Sequence, residues 1–432
     1  MSLLIKNAKL VDGREVDIEI EGEKISQLLP VGKGSLPGAE VIDAQGKLVI
    51  PGLVDLHTHL REPGREDSET VASGSAAAVR GGFTAVSAMA NTFPVADTAG
   101  VVEQIFRLGQ SAGLCDVFPI GAVTEGLEGK KLTELVAMNE SAARVRIFSD
   151  DGKCVYDPLI MRRALEYVKS FDGLISQHAQ DPRLTEGAQM NEGEISSRLG
   201  LTGWPAIAEE AIIARDILLA EHVGSRLHIA HLTTAGGVDL VRWAKARGVR
   251  VTAEVTPHHL LLTDESAIGY DAVFKVNPPL RTQRDVMALR EGLADGTIDI
   301  VATDHAPHPS EDKDCEWSAA AFGMLGLETA LSVVVKTMVE SGLMSWSDVV
   351  DRMSIAPARI GGYSRHGGDI EAGAIANLTI IDADATWRVD REKLASKSKN
   401  TPFHDMELPA VVTHTIFNGA IVCANGSVRE VA

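Results

Sequence analysis

Two kinds of alternation run along the chain. Near the start, LLIKNAKLVDG, EVDIEIEGEKISQLLP and AEVIDAQGKLVI switch between apolar and polar positions with a period of two and break at Gly, Asp and Asn. Near the end, GAIANLTIIDADATW and VVTHTIFNGAIVCANG do the same. A period of two sends neighbouring side chains to opposite faces, so both ends predict short strands joined by turns. Between them the pattern changes. Short apolar runs alternate with Ala-, Leu- and Glu-rich stretches of helical texture such as EEAIIARDILLAEHVG.

Eight strand candidates follow one another in this middle part: GLVDLHTH, TAVSAMAN, DVFPIGAV, VRIFSDDG, GLISQHAQ, RLHIAHLT, VRVTAEVTP and DIVATDHAP. Strand–helix alternation repeated about eight times over roughly three hundred residues predicts an α/β fold, a (β/α)8 TIM-type barrel of parallel strands ringed by helices. An open doubly wound sheet is the competitor, but no glycine-rich GxGxxG loop follows an early strand. The expected organisation is a barrel over 51–365 and a small composite β-sandwich-like domain that joins 1–50 to 366–432.

Several of the predicted strands end in residues that bind metals or move protons. The first ends in His57 and His59, the fourth in Asp150 and Asp151, and the fifth in His178. The sixth ends in His231 and the eighth in Asp304 and His305, with His308 just beyond. A parallel barrel opens all its carboxyl ends onto one mouth, so these side chains should converge there. Each ending taken alone is ordinary: SDDG reads as a turn, and a single strand-end His as a satisfied polar residue. Five such endings on one side of a barrel are not explained that way. In DLHTHLREPG, an extended strand would also place His57, His59 and Arg61 on one face. His222, His228, His258 and His259 read as non-ligands.

Imidazole and carboxylate without thiolate suit Zn²⁺. Six such ligands exceed one tetrahedral ion and fit two ions that share a carboxylate, so one to two zinc ions per chain are expected. Such a pair makes hydroxide available near neutral pH and polarises a carbonyl, with a nearby Asp oxygen as general base and acid.

Composition narrows the partners. The 432 residues carry a net charge of −19 with no basic cluster, which excludes a nucleic-acid partner on electrostatic grounds. No apolar run has the length of a membrane span, so no membrane partner is expected either. The four cysteines, Cys115, Cys154, Cys315 and Cys423, lack paired spacing and read as free thiols of a reducing cytoplasm.

The segments DLHTHLREPG, ANTFP, FSDDG, SQHAQD, NEGEISSRLGL, HIAHLTT, EVTPHHL, KVNPPLR, ATDHAPH, FGMLGLETAL, PARIGG and SKSKNTPF, in this order, resemble the dihydroorotases of the amidohydrolase superfamily. The likeness is to the longer bacterial class and to the corresponding domain of the animal multifunctional pyrimidine enzyme. It implies the reversible interconversion of N-carbamoyl-L-aspartate with L-dihydroorotate and water, in pyrimidine synthesis. It further implies one zinc on His57, His59 and Asp304, another on His178 and His231, and Asp151 between them. Asp304 would move the proton. Arg61, Asn91 and His308 would hold the substrate carboxylate, with His59 also at the substrate, while Asn277 and the backbone at Phe322 and Gly323 would line the ring. Hydantoinase-like relatives bridge their metals with a carboxylated lysine; here Asp151 stands in that place, and Lys153 follows two residues on. The expected partners are the small-molecule substrate, a second copy in a homodimer, and aspartate transcarbamoylase. The rival readings are a dihydropyrimidinase, hydantoinase or allantoinase, or a non-catalytic paralogue that scaffolds the transcarbamoylase. The loop 308–323, HPSEDKDCEWSAAAFG, is expected to act as a mobile lid.

Overall fold

The computed structural model describes residues 2–429. At the amino end, β1 (Ser2–Lys9), β2 (Glu15–Glu21), β3 (Lys24–Pro30), β4 (Glu40–Asp43) and β5 (Leu48–Pro51) form one half of a sheet. The barrel strands are β6 (Leu53–Thr58), β7 (Phe83–Ala88), β8 (Asp116–Pro119), β9 (Ile147–Phe148) and β10 (Leu174–Gln177). A two-stranded excursion, β11 (Met190–Asn191) and β12 (Gly203–Trp204), precedes β13 (Arg226–Ile229), β14 (Val251–Val255) and β15 (Ile300–Val301). At the carboxyl end, β16 (Leu378–Arg388), β17 (Glu407–Phe417), β18 (Ala420–Ala424) and β19 (Ser427–Val428) complete the first sheet.

The terminal sheet is continuous, in the order β19-β18-β17-β16-β5-β1-β2-β3 with β4 against β1. The join between the two chain ends is the antiparallel pair β5–β16, with Val49 opposite Ile380. Its alternating pattern buries Ile5, Ile18, Ile20, Leu378, Ile380 and Ile416 in one cluster, which is why the period of two is visible in the sequence.

In the barrel every strand pair is parallel, β6-β7-β8 on one side and β9-β10-β13-β14-β15 on the other. Two bridges close the ring, Gly121 with Phe148 and Thr58 with His305. At the second seam the His59 N–H donates to the His305 carbonyl at 2.8 Å. Val54, Ala85, Ile120, Ile147, Leu174 and Ile300 fill the interior together with Ile360 and Tyr363. Helices lie outside. Val71–Arg80 starts from Thr70 in a capping box with Ser73, and Pro158–Lys169 from Asp157, whose carboxylate accepts the N–H groups of Leu159 and Ile160. None of the helices among the described residues is long and apolar enough to cross a membrane.

One local expectation needs correction. β6 ends at Thr58, and Arg61 has φ of 62°, so a left-handed turn rather than a continued strand carries its side chain to the mouth. The shared-face argument holds for His57 and His59 only in outline.

Candidate metal centre and active site

The functional side chains leave the barrel at the carboxyl ends of five strands. His57 lies on β6 and His59 just past it; Asp151 follows β9, His178 follows β10, His231 follows β13 and Asp304 follows β15. His231 and Asp304 have φ of 31° and 46°, a region that L residues rarely adopt. Together with Arg61, these strained positions cluster at the mouth, as held strain does at functional sites.

The six side chains converge. Asp151 Oδ1 lies 3.4 Å from His57 Nε2 and 3.2 Å from both His178 Nδ1 and His231 Nε2, while its Oδ2 is 3.3 Å from His59 Nε2. Asp304 Oδ1 is 3.0 Å from His59 Nε2 and 3.5 Å from His57 Nε2. In a tetrahedral site with nitrogen and oxygen ligands about 2.0–2.1 Å from the ion, neighbouring donors stand about 3.3 Å apart. The observed spacings match that edge. Two groups bring their ligand atoms within 4.8 Å of one another, His57–His59–Asp151 and Asp151–His178–His231, with Asp151 in both. His57 Nε2 is buried and has no hydrogen-bond partner, which is the state of a nitrogen that offers its lone pair to an ion. The donor set therefore fits a pair of divalent cations. Lys153 is exposed, whereas Asp151 is buried. Asp150, the other half of the SDDG pair, instead accepts the N–H groups of Val123 and Thr124 and holds a loop.

Behind these atoms stand residues that fix each ring. Glu254 Oε1 accepts the Nδ1–H of His57 at 2.6 Å, and its Oε2 lies 2.9 Å from His228 Nε2. Asn91 Oδ1 accepts the Nδ1–H of His59 at 2.9 Å, and Gln180 Oε1 the Nε2–H of His178 at 2.7 Å. Each bond leaves the opposite nitrogen free to face the centre. Sequence reading missed Glu254 and Gln180, although a lone carboxylate inside the apolar strand VTAEV was a usable signal. His305 turns away: its Nδ1 accepts from the Gly326 N–H at 3.2 Å and its Nε2 faces Glu69 at 3.4 Å. Burial pushes the Asp304 carboxyl up, but the imidazoles of His57 and His59 more than offset this and hold it below the usual carboxylate range. His258 and His259 are buried nearby, and neither joins a ligand group.

Arg61 and His308 meet each other, and Asn277 reaches the cluster through Gln180, which bonds to His178. Arg61 Nε donates to the Pro307 carbonyl at 3.1 Å, and its Nη2 lies 3.3 Å from His308 Nε2. It pairs with no carboxylate among the described residues. Burial lowers its pKa to about 10, so it stays a cation. Burial and Arg61 push His308 down to about 3, so its ring is neutral, and its Nε2–H donates to the Phe322 carbonyl at 2.8 Å. Gly323 has φ of 146°, and a Cβ there would stand 2.8 Å from His308 Nε2, so no larger residue fits beside that ring. Asn277 donates through Nδ2 to Gln180 at 3.2 Å. The expected lid 308–323 forms a packed unit. It contains a short helix, Ser310–Lys313, and a buried Trp317, and Lys313 Nζ donates to the carbonyls of Lys275, Ala321 and Gly323.

Comparison with known proteins follows the same line. A family model described as "Dihydro-orotase-like" matches residues 46–236. The dihydroorotase of Streptomyces coelicolor is 66% identical over 424 residues, covering 98% of each chain. That of Mycobacterium tuberculosis is 54% identical over 431 residues, 99% of this chain and 100% of the other. Among solved structures, the L-hydantoinase of Arthrobacter aurescens superposes with a TM-score of 0.87 at 26% identity, over 99% of this chain and 97% of that one. The dihydropyrimidinase of Brevibacillus agri gives 0.84 at 22% identity, over 99% and 96%, a likeness of fold alone. The barrel fold is shared with these solved structures, whereas identity above one half along nearly the whole sequence is shared with the two dihydroorotases, and on that ground the chain belongs to the dihydroorotase family.

Proposed function

We propose that the chain interconverts N-carbamoyl-L-aspartate with L-dihydroorotate and water through a binuclear zinc centre. His57, His59 and Asp304 would hold one ion, His178 and His231 the other, and Asp151 both. Such a pair makes water acidic enough to react near neutral pH and polarises the amide carbonyl under attack. In the hydrolytic direction the ring amide bond breaks: hydroxyl goes to the carbonyl carbon, which becomes a carboxylate, and a proton goes to the departing nitrogen. Asp304, whose Oδ1 lies 3.0 Å from His59 Nε2, would take the proton from water and return it to that nitrogen. Arg61 and Asn91 would bind the ring carboxylate, with His308 holding the wall at Phe322 and Gly323, and Asn277 would meet the ring edge.

The observation that carries this reading is Arg61, a half-buried guanidinium beside the ligand cluster that pairs with no carboxylate among the described residues. A partly desolvated cation of that kind favours an anionic ligand, and dihydroorotate differs from dihydrouracil by one carboxylate. The relevant assay compares the two substrates. Wild-type protein should hydrolyse dihydroorotate far better than dihydrouracil, carboxylate-free hydantoins or allantoin. Arg61→Met should keep its metals and lose roughly ten- to 150-fold in kcat/KM for dihydroorotate, the equivalent of about 1.5–3 kcal/mol. A preference of the unmodified protein for dihydrouracil would sink the proposal.

A further inference from the structure

Gln180 sits between a metal-centre histidine and the residue that meets the substrate ring, and its hydrogen bonds fix the direction of every donor around it. The Thr185 hydroxyl donates to the backbone carbonyl of Asp181 at 2.8 Å, so its oxygen is left to accept. It accepts from Gln180 Nε2 at 2.9 Å. The other end of that amide is therefore the oxygen. This oxygen receives two hydrogen bonds, from His178 Nε2 at 2.7 Å and from Asn277 Nδ2 at 3.2 Å. The chain begins at a backbone carbonyl, whose role as acceptor is unambiguous, and it leaves neither ring nor amide free to reverse.

Two consequences follow. With its proton on Nε2, His178 turns a bare Nδ1 toward Asp151 and His231, 3.2 and 2.8 Å away. With Nδ2 spent on Gln180, Asn277 turns Oδ1 the other way, and that oxygen is buried without any hydrogen-bond partner. A buried acceptor left unpaired is costly, and a ligand N–H would satisfy it. Asn91 has the opposite polarity, because its Oδ1 is occupied by His59 and its Nδ2 remains to donate. The two amides thus offer one free donor and one free acceptor, which matches a ring that carries a carboxylate and an N–H.

We infer that Gln180 is a positioning residue whose one side-chain oxygen sets both the tautomer of His178 and the facing of the Asn277 carbonyl, so that Asn277 accepts a ring N–H. The inference rests on the reading of Asn277 as a ring contact.

The test uses the full chain, with orotate, the planar unsaturated counterpart of dihydroorotate, as the probe. Orotate binding is measured by calorimetry in saturating zinc, and zinc affinity separately by chelator competition. Gln180→Met removes the acceptor at similar volume. It should weaken orotate by roughly tenfold or more and zinc by roughly ten- to 100-fold. Gln180→Glu still accepts from both neighbours, so it should bind orotate within about threefold of wild type and zinc at least as tightly as wild type, a rescue that a purely space-filling role would not require. The double variant Gln180→Met/Asn277→Ala should bind orotate no more weakly than Asn277→Ala alone. Normal orotate affinity in Gln180→Met, alongside weak binding in Asn277→Ala, overturns the inference and leaves the ring contact standing. Normal affinity in Asn277→Ala removes the ring contact and the inference with it. Loss of zinc or of orotate in Gln180→Glu also overturns it, and that variant is decisive even if Gln180→Met does not fold.

Discussion

The two halves of the proposed metal centre share Asp151 and differ in what stands behind their histidines. On one side His57 is backed by the carboxylate of Glu254, and Asp304 adds a second negative ligand 3.0 Å from His59. On the other side His178 is backed by the neutral amide of Gln180, and His231 completes the set without a further carboxylate of its own. A carboxylate behind an imidazole raises its basicity and strengthens the bond to the ion. An amide orients the ring without adding charge. The difference teaches that a binuclear site need not be symmetric in affinity: the His57 half should hold its ion more tightly, and the His178 half should empty first as a chelator is titrated.

The comparison breaks most completely at the residue common to both halves. Asp151→Ala should strip both ions and bring activity to background, with Lys153→Ala as the control that keeps zinc and turnover; elemental analysis of the two proteins decides it. A carboxylated Lys153 found by mass spectrometry would reassign the bridge. Asp304→Asn removes a base from the tighter half while keeping its shape. Its kcat should fall by a factor on the order of 10² to 10⁴ with zinc retained. Near-normal turnover in the loaded variant would move the proton transfer elsewhere. The finest adjustment is Glu254→Gln, which replaces the backing charge with an amide. It should weaken the His57-side ion by roughly ten- to 100-fold and level the order in which the two ions leave during chelator titration. An unchanged order would show that Glu254 acts on the fold alone.

The sequence made the ligands readable and left their supports hidden, for a physical reason. A ligand must be His or Asp and must sit where a parallel strand ends, so residue type and place can both be read from the chain. Glu254 lies inside an apolar strand and Gln180 in a polar loop, and nothing in one dimension says that their oxygens meet His57 and His178 across the barrel. Asp150 and Asp151 are indistinguishable as letters; only the fold sends one to the N–H groups of Val123 and Thr124 and the other to the centre. The terminal sheet was legible because apolar and polar letters alternate in stretches such as EVDIEIE, and the barrel because eight apolar strands recur. The conformation of Arg61 was not legible, since a strand that stops at Thr58 and turns left-handed leaves no mark in the composition of DLHTHLREPG.

The seam between β6 and the segment after β15 bears on how the chain is made. His59 and Asp304 meet across 245 positions of sequence, and the bridge from Thr58 to His305 closes the ring at the same place. A ribosome releases the first ligands long before it releases the last. Until residue 305 has emerged, the amino-terminal strands have an open edge and one half of the centre has no Asp304. Pairing across such a distance is slow and exposes unpaired edges to other chains, so the nascent barrel is the stage most at risk of aggregation. The β5–β16 pair delays completion further, because the sheet that joins the two ends cannot form before the carboxyl-terminal strands exist. Zinc supplied during refolding should therefore speed recovery of activity only after the seam has closed, and catalytic turnover reports a chain finished at both ends.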